Sequence, residues 1–432
     1  MPFDQSLRFR PRIAVIGGGI TGLSAALDIS EFADVTLFEA GPRLGGHART
    51  VIAGRRGDQP VDTGFIVFNF ANYPHLTRLF RDLDLPIQKS CMSFGATIDG
   101  GWLEYGLKSV EALFAQRRNV GDPRFWAMLR DVARFNARAE QAVDSDDVTI
   151  GDLVDRLRLG SWFRDYYLMP ICGAIWSTPP EQIHNFPART LVRFFRNHAL
   201  MSARGQHQWW TVAGGSREYV QRLQDVLVQR GVSLRIGSQV LSVRRTLGQV
   251  IVHTGTGGEP AFDHIVFATH SDQALRILDA PSAREHALLG AIRFQDNAAF
   301  LHRDPGQMPR RRAAWSSWVY QSDRRQGRPG IGVTYWMNRL QNIPDDDPLF
   351  LTLNPARTIP EHLVYDQVVF RHPVFDHAAL TAQRNLETIQ GQRNTWFAGA
   401  WARHGFHEDG IAAARRVTRS LARLYSRRIE AA

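Results

Sequence analysis

A glycine cluster near the start of the chain has the residue types and the spacing that hold a pyrophosphate. The apolar residues 13–16 lead into Gly17, Gly19 and Gly22, and Glu39 follows Gly19 by 20 positions. Gly17 permits a tight turn, Gly19 lets the backbone approach a phosphate, and Gly22 lets a helix pack closely on the strand. Glu39 can accept hydrogen bonds from a ribose diol. This G-x-G-x-x-G pattern is typical of a dinucleotide site and predicts a strand, a turn, a helix and a second strand, with the pyrophosphate at the helix N-terminus.

The residues after Glu39 extend the site beyond what a simple NAD domain needs. Arg43, Gly45 and Gly46 follow within seven positions. Here the sequence resembles the large FAD family that contains flavin amine oxidases, protoporphyrinogen oxidases and phytoene (carotenoid) desaturases. The resemblance implies that Arg43, Gly45 and Gly46 lie along the FAD pyrophosphate and the flavin. It also implies that residues 62–64 (Asp-Thr-Gly) lie near the isoalloxazine.

Later segments of the chain are expected to complete the same site. By the resemblance, Val240 places its backbone on the adenine, and residues 264–270 form a buried strand that ends near the flavin. A second apolar strand, 396–401, enters a turn at 405–410. We expect a helix from Ile411 onward, whose N-terminus faces the pyrimidine end of the flavin, where negative charge accumulates on reduction. The predicted cofactor-binding residues are Gly17, Gly19, Ile20, Thr21, Gly22, Glu39, Ala40, Arg43, Gly45, Gly46, His47, Val240, Gly399, Phe406, His407, Gly410 and Ile411.

Because both ends of the chain contribute to one cofactor site, the predicted domains are discontinuous. The predicted fold class is α/β, with a Rossmann-like FAD-binding domain of the GR2 type interleaved with an α+β substrate domain of mixed sheet and helices. The FAD-binding domain is predicted over residues 8–75, 206–280 and 391–432. The substrate-binding domain is predicted over residues 76–205 and 281–390.

The cysteines bear on how FAD is attached and on the compartment. A cysteinyl flavin in the resembled family needs a cysteine in the C-terminal motif, and none follows Cys172. We therefore predict non-covalent FAD, with a histidyl link through His47 as the open alternative. Two cysteines, Cys91 and Cys172, exclude a disulfide framework and favour a reducing compartment. We predict no metal-ligand set.

The stretches outside the nucleotide segments are rich in large apolar residues. Residues 166–176 and the strand-like runs 315–320 and 330–336 favour an apolar pocket over one shaped for a small charged metabolite. The candidate pocket residues are Trp176, Tyr335 and Trp336. Plain core packing of helices and strands is the alternative interpretation of these runs.

The charge of the chain favours an anionic partner. The net charge is +10, and 50 of the 52 basic residues are arginine. Arginines at 310–312 precede Trp315 and Trp318, and further arginines lie at 324, 325 and 328. Arginine beside tryptophan suits an anionic membrane surface, whereas a solvated loop and a codon bias are the alternatives. Because no nucleic-acid-binding module is recognisable and no run of about 18 apolar residues occurs, we expect no nucleic acid partner and no spanning helix. We expect a cytoplasmic protein, peripheral at the inner face of the membrane.

The distribution of lysine bears on the reaction. Amine oxidases of the resembled family commonly carry a lysine, water-bridged to flavin N5, in the second half of the chain, but here no lysine follows Lys108. A narrower resemblance covers essentially the whole chain. It is to a bacterial subgroup whose genes accompany cyclopropane or methyl-branched fatty acid synthases, and some members are thought to desaturate methylated acyl chains on the way to furan fatty acids. The segments that carry this resemblance are 308–320 (MPRRRAAWSSWVY), 333–342 (VTYWMNRLQN), 351–355 (LTLNP) and 404–410 (HGFHEDG).

The narrower resemblance implies dehydrogenation of a methyl-branched or related fatty acyl chain, on phospholipid, by hydride transfer to flavin N5. The implied partners are the phospholipid or fatty acyl substrate and a fatty-acid methyltransferase. His407 and Glu408 are the candidate catalytic residues, because the family places this turn beside the flavin and both side chains titrate. Helix capping by Glu408 or Asp409 is the alternative. Two other functions stay open: an amine or small-molecule flavoprotein oxidase, and a non-catalytic FAD-binding partner of a lipid-modifying enzyme.

Overall fold

A parallel sheet of five strands carries the predicted nucleotide site. The computed structural model describes residues 10–145, 147–176, 183–197, 207–255, 257–258, 260–323 and 331–430. In sheet order the strands are β10 (Ser233–Ile236), β2 (Asp34–Glu39), β1 (Arg12–Ile16), β14 (His264–Phe267) and β20 (Thr395–Phe397). Every pairing is parallel. The central strand β1 is apolar and buried from Ile13 to Ile16, as expected of a parallel strand covered on both faces.

A second, larger sheet is mixed. In sheet order its strands are β19 (Val364–Pro373), β15 (Phe294–His302), β18 (Phe350–Leu353), β17 (Ile331–Trp336), β16 (Trp318–Ser322), β7 (Phe94–Ile98) and β8 (Leu103–Gly106). The β16–β7 pairing is parallel and the other pairings are antiparallel. One parallel sheet and one mixed sheet, both flanked by helices, confirm the predicted α/β fold class.

Three small sheets complete the strands of the described structure. Their strands are β3 (Thr50–Ala53) with β4 (Gln59–Asp62), β5 (Val67–Asn69) with β9 (Trp209–Val212) and β6 (Ile87–Ser90), and β11 (Val240–Arg245) with β12 (Val250–Thr254) and β13 (Gly257–Gly258). Strand β6 lies in the predicted substrate segment, yet it pairs with β9 of the predicted FAD-binding segment. The two predicted domains therefore share a sheet.

The last helix begins earlier than the sequence pattern predicts. The α-helices are α1 (Ile20–Ile29), α2 (Pro74–Asp82), α3 (Val110–Leu113), α4 (Pro123–Ala142), α5 (Ile150–Arg156), α6 (Ser161–Phe163), α7 (Met169–Trp176), α8 (Ala188–Asn197), α9 (Arg217–Gln229), α10 (Ser271–Ile277), α11 (Ala283–Gly290), α12 (Met337–Leu340), α13 (His377–Asn385) and α14 (His407–Glu430). Helix α14 was predicted from Ile411, but residues 407–410 are already helical. The Asp409 carboxylate accepts the Phe406 N–H at 3.0 Å and so stabilises this first turn.

A buried ion pair holds the β11 sheet against the helices beside it. Arg245 donates to both carboxylate oxygens of Glu285, at 2.5 and 3.1 Å, and both side chains are buried. Glu285 also accepts the Ser282 N–H at the start of α11.

Within the described ranges, no helix is long and apolar enough to cross a membrane.

Candidate active site

A cavity of about 930 Å³ lies between the two large sheets. Its wall runs from the turns after β1 and β2 to the strands of the mixed sheet, and thirteen of the seventeen predicted cofactor residues line it. The four that do not line it are Gly22, Arg43, Gly410 and Ile411. The cavity therefore joins the predicted nucleotide site to the predicted substrate region.

The glycine turn has the shape of a phosphate cradle. Gly17 has φ +106°, a left-handed conformation that favours glycine. A Cβ on Gly22 would lie 1.8 Å from the Gly17 carbonyl oxygen, so Gly22 acts from behind the cavity by letting α1 approach the turn. A Cβ on Gly19 would meet no atom nearer than 3.9 Å and would instead fill the space beside the N-terminus of α1. That space is where a pyrophosphate would be bound.

Backbone hydrogen bonds fix the two charged residues of the fingerprint. The Glu39 carboxylate lines the cavity and accepts the N–H groups of Gly18 at 2.6 Å and Gly41 at 2.7 Å. Arg43 was expected along the pyrophosphate, but its guanidinium donates to the carbonyl oxygens of Leu44, Ala48 and Gly46. Arg43 therefore shapes the loop that carries Gly45 and Gly46, rather than facing the cavity itself.

Two helix N-termini meet at the cavity. A Cβ on Gly410 would lie 2.6 Å from Thr21 Oγ1, so the first turns of α14 and α1 are in close contact. Ile411 is buried in the core behind this contact. Because both helices direct their positive ends and free N–H groups toward the same space, the cavity favours an anionic group there.

His407 opens helix α14 and lines the cavity. Its ring stacks on Phe65, with centroids 4.0 Å apart, and its Nε2 lies 3.0 Å from the Tyr219 hydroxyl. Burial, and secondarily His47, lowers the pKa of His407 to about 3, so the imidazole is neutral at pH 7. Burial also holds the pKa of the Tyr219 hydroxyl well above its usual range.

The Tyr219 hydroxyl decides the tautomer of His407. Tyr219 is fully buried, and within the described residues His407 Nε2 is its one hydrogen-bond partner. A buried tyrosine O–H needs an acceptor, so Tyr219 donates and Nε2 carries the lone pair. The proton of the neutral ring is then on Nδ1. His407, which lines the cavity, consequently offers a hydrogen-bond donor at Nδ1, which differs from the base that the sequence suggested.

Glu408 lies away from the cavity. Its carboxylate accepts the N–H groups of His75 at 3.0 Å and Leu76 at 2.9 Å, in the first turn of α2. A carboxylate at this place satisfies free N–H groups and complements the helix dipole. The capping alternative therefore describes Glu408, although it caps α2 and not its own helix, and the expected catalytic position of Glu408 is not observed.

Three histidines form a cluster in the cavity wall. The ring centroid of His47 lies 6.0 Å from that of His270 and 5.8 Å from that of His372, and we name these residues the histidine cluster. Burial lowers the pKa of each to about 4, so all three are neutral at pH 7. Sequence reasoning singled out His47 but missed His372, which lies on β19 with no motif around it. Within the described part of the chain, no group of metal-ligating side chains could hold an ion.

The residues present fit a dinucleotide cofactor. His47 Nε2 and His270 Nδ1 are buried and have no hydrogen-bond partner in the described structure. Such atoms are rare in native proteins unless a ligand or water pairs with them. Together with the open space at Gly19 and the two helix N-termini, they indicate a polar, anionic ligand that runs along this part of the wall.

The strand β17 separates the two predicted pocket residues that it carries. Tyr335 lines the cavity and packs edge-on against Trp318. Trp336 was predicted beside it but faces the opposite side of the sheet, because successive strand residues alternate. There its ring centroid lies 5.2 Å from that of Trp315 in a separate buried cluster. The prediction for the side chain of Trp176 falls outside the described side chains.

The tryptophans of the arginine–tryptophan segment face the protein interior and the cavity. Trp315 is buried and lies under the Arg312 guanidinium, and Trp318 faces the cavity. Arg311 is bound to the buried carboxylate of Glu104 at 2.8 Å. Arginines 324, 325 and 328 lie outside the described residues. Trp315 therefore packs in the core and Trp318 lines the cavity, because tertiary packing, and not the arginines next to them in the sequence, determines their exposure.

The fold and the cavity define a dinucleotide-binding flavoprotein. The chain belongs to the flavin containing amine oxidoreductase family, whose model matches residues 20–299. FAD is therefore the cofactor, and the protein is an FAD-dependent oxidoreductase.

Solved structures of proteins named for different reactions share this fold along nearly the whole chain. Cyclohexylamine oxidase from Brevibacterium oxydans IH-35A is 16% identical with a TM-score of 0.69, and the match covers 97% of this chain and 100% of that one. A CLA-producing fatty acid isomerase from P. acnes is 16% identical with a TM-score of 0.68, over 96% and 98%. Reduced UDP-galactopyranose mutase is 14% identical with a TM-score of 0.68, over 96% of each chain. At these identities the likeness shows the fold alone, so the reaction has to be argued from the site.

Proposed function

We propose that this protein desaturates a methyl-branched or related fatty acyl chain carried on phospholipid. We name the part of the cavity that lies beyond the nucleotide segments the substrate end. The observation that carries the proposal is the apolar wall of this substrate end. Its apolar residues are Met92, Phe94, Tyr167, Ile171, Phe194, Trp318, Tyr335, Leu351, Leu353, Phe370 and Phe375. Such a wall suits a long hydrocarbon chain.

The charge of the wall supports the same substrate. Among the described lining residues, Glu39 is the one carboxylate, and it lies at the nucleotide end with its oxygens bound to backbone N–H groups. An ammonium substrate would therefore find no carboxylate at the substrate end. His372 and His404 are neutral at pH 7, so they place no charge next to an uncharged acyl chain.

Desaturation requires that two hydrogens leave neighbouring carbons, one as a hydride and one as a proton. When bound, FAD accepts the hydride. His404 is the residue to which we assign the proton. It lines the cavity, its side chain makes no hydrogen bond with the described residues, and burial lowers its pKa to about 4, so an unprotonated ring nitrogen is available at pH 7.

His407 has a different part in this proposal. Because Tyr219 occupies the Nε2 lone pair, His407 offers only Nδ1–H and cannot accept the proton without losing that bond. We infer that it donates to the negative charge that reduction places near the N-terminus of α14.

The test is anaerobic mixing of the FAD-loaded protein with detergent-dispersed lipids, followed by the flavin absorbance near 450 nm. Phospholipid with methyl-branched chains should bleach the flavin, whereas putrescine and cyclohexylamine should not. His404→Gln should retain FAD and slow bleaching by about 10²–10⁴-fold. His286→Gln, an exposed histidine outside the cavity, is the matched control. Bleaching by the amines alone would overturn the proposed substrate, and a wild-type rate in His404→Gln would remove His404 from the mechanism.

A further inference from the structure

Four large apolar side chains are exposed within one short stretch beside the cavity. Leu107, Val110, Val120 and Trp126 are 39%, 75%, 53% and 50% exposed, and we name residues 107–126 the mouth segment. The segment runs from the end of β8 through α3 to the first turn of α4. Exposed large apolar residues gathered within 20 positions of the chain favour an interaction site over a free surface.

The mouth segment begins at the opening of the cavity. Leu107 and Lys108 are exposed and also line the cavity, together with the exposed Cys91. Lys108 Nζ donates to the Trp315 carbonyl oxygen, which holds this side chain at the rim. A chain that enters the cavity through this opening therefore passes Leu107 and Lys108, where the mouth segment begins.

The charges of the mouth segment favour an anionic surface. The segment has four basic residues and two acidic ones, of which Asp122 is already paired with Arg124. Beside it lies a second hollow of about 490 Å³ whose wall includes Arg118, Arg310 and Arg311 and, among the described residues, no carboxylate. The Arg310 guanidinium forms no ion pair with the described chain, so it is available to an anion.

We propose that the mouth segment docks on an anionic phospholipid bilayer, so that an acyl chain passes from the bilayer into the cavity at Leu107 and Lys108. This rests on the proposed lipid substrate. Val110, Val120 and Trp126 enter the boundary between head groups and chains, as interfacial apolar residues do. The arginine hollow lies at the far end of strand β8 from Leu107, and it takes the phosphate of a neighbouring anionic lipid.

The test is co-sedimentation of the FAD-loaded protein with sucrose-loaded vesicles. Vesicles with phosphatidylglycerol should bind the protein more tightly than vesicles of phosphatidylcholine alone, and salt should weaken this preference. Arg117→Gln, Arg118→Gln and Arg310→Gln should each lower the partition coefficient by about 5-fold. Val110→Glu and the double variant Val110→Glu/Trp126→Glu should lower it further, while retaining FAD and the wild-type melting temperature.

The matched control is Leu247→Glu, because Leu247 is fully exposed but lies on the β11–β12 turn, far along the chain from the mouth segment. It should bind vesicles like wild type. Vesicle binding does not depend on turnover, and flavin bleaching by detergent-dispersed lipid does not depend on docking to a bilayer. The docking proposal and the proposed reaction can therefore be refuted independently. Wild-type binding by Val110→Glu, or an equal loss in Leu247→Glu, would overturn the docking surface while bleaching by dispersed lipid still stood.

Discussion

The reduction potential of the bound FAD tests the role of the His407–Tyr219 pair. Replacing His407 with Leu removes the Nδ1–H donor at the N-terminus of α14, while an apolar side chain of similar size still covers Phe65. A hydrogen bond to a charged group contributes about 1.5–3 kcal/mol. For a two-electron couple about 30 mV corresponds to 1.4 kcal/mol, so the potential should become more negative by about 30–60 mV.

Tyr219→Phe should shift the potential in the same direction by less. It removes only the hydroxyl that fixes the tautomer, since the buried ring keeps its contacts with Phe65 and Phe80. The bond lost joins neutral groups and is worth about 0.5–1.5 kcal/mol, which corresponds to about 10–30 mV.

The assay is a dye-coupled anaerobic titration of each variant, with Tyr73→Phe as the matched control. Tyr73 is a tyrosine of the same cavity wall that makes no hydrogen bond to His407. An unchanged potential in His407→Leu, or an equal shift in Tyr73→Phe, would refute the reasoning. A nitrogen-15 spectrum of the FAD-free protein provides a second readout, because His407 Nε2 should lack a proton.

Three further predictions concern the cofactor cradle, the buried ion pair and the histidine cluster. Gly19→Ala should leave the FAD-free protein as stable as wild type but abolish FAD binding, because its Cβ fills only open space. Gly22→Ala should lower the melting temperature even without FAD, because its Cβ meets the backbone. A Gly22→Ala protein that is stable and binds FAD would contradict this. Glu285→Gln should lower the free energy of unfolding in urea by about 3–5 kcal/mol, because the buried Arg245 loses its counter-charge, and a loss below about 1 kcal/mol would show that the pair is dispensable. The free energy of unfolding should fall as the pH drops from about 6.5 to about 4, and replacing the histidine cluster with glutamine should flatten this dependence.

The sign of the pH effect follows from the direction of each pKa shift. The cluster histidines have pKa values of about 4 in the folded protein, against 6.5 without burial, so the unfolded chain binds more protons between these values. Stability therefore rises with pH in that window. Burial raises the pKa of Asp62 and Asp409 to about 6, which opposes this trend between about pH 4 and 6. Urea unfolding curves from pH 5 to 7.5 test this, and a free energy of unfolding that stays level or rises on acidification would contradict the prediction.

The nucleotide half of the site could be predicted from the sequence because its chemistry is local. Gly17, Gly19 and Glu39 are fixed by one strand–turn–helix–strand unit, and their spacing carries the geometry with it. The apolar runs likewise indicated the buried strands β1 and β14. Such features depend on neighbours within about 25 residues of the chain, which periodicity and turn chemistry describe well.

The active-site chemistry could not be predicted because it depends on contacts between distant segments. Glu408 is bound by the N-terminus of α2, more than 300 positions earlier in the chain. Trp336 and Tyr335 are neighbours in sequence, but the strand directs them to opposite faces. The tautomer of His407 depends on Tyr219, and no motif links the two residues.

Mass analysis of the lipid after turnover tests the central claim most directly. The FAD-loaded protein, supplied with an artificial electron acceptor and phospholipid with methyl-branched chains, should yield lipid that has lost two hydrogens from one acyl chain. The same lipid should return unchanged from Gly19→Ala, which lacks the cofactor. Unaltered lipid from the wild-type protein, together with aldehyde formed from an added amine, would contradict the account.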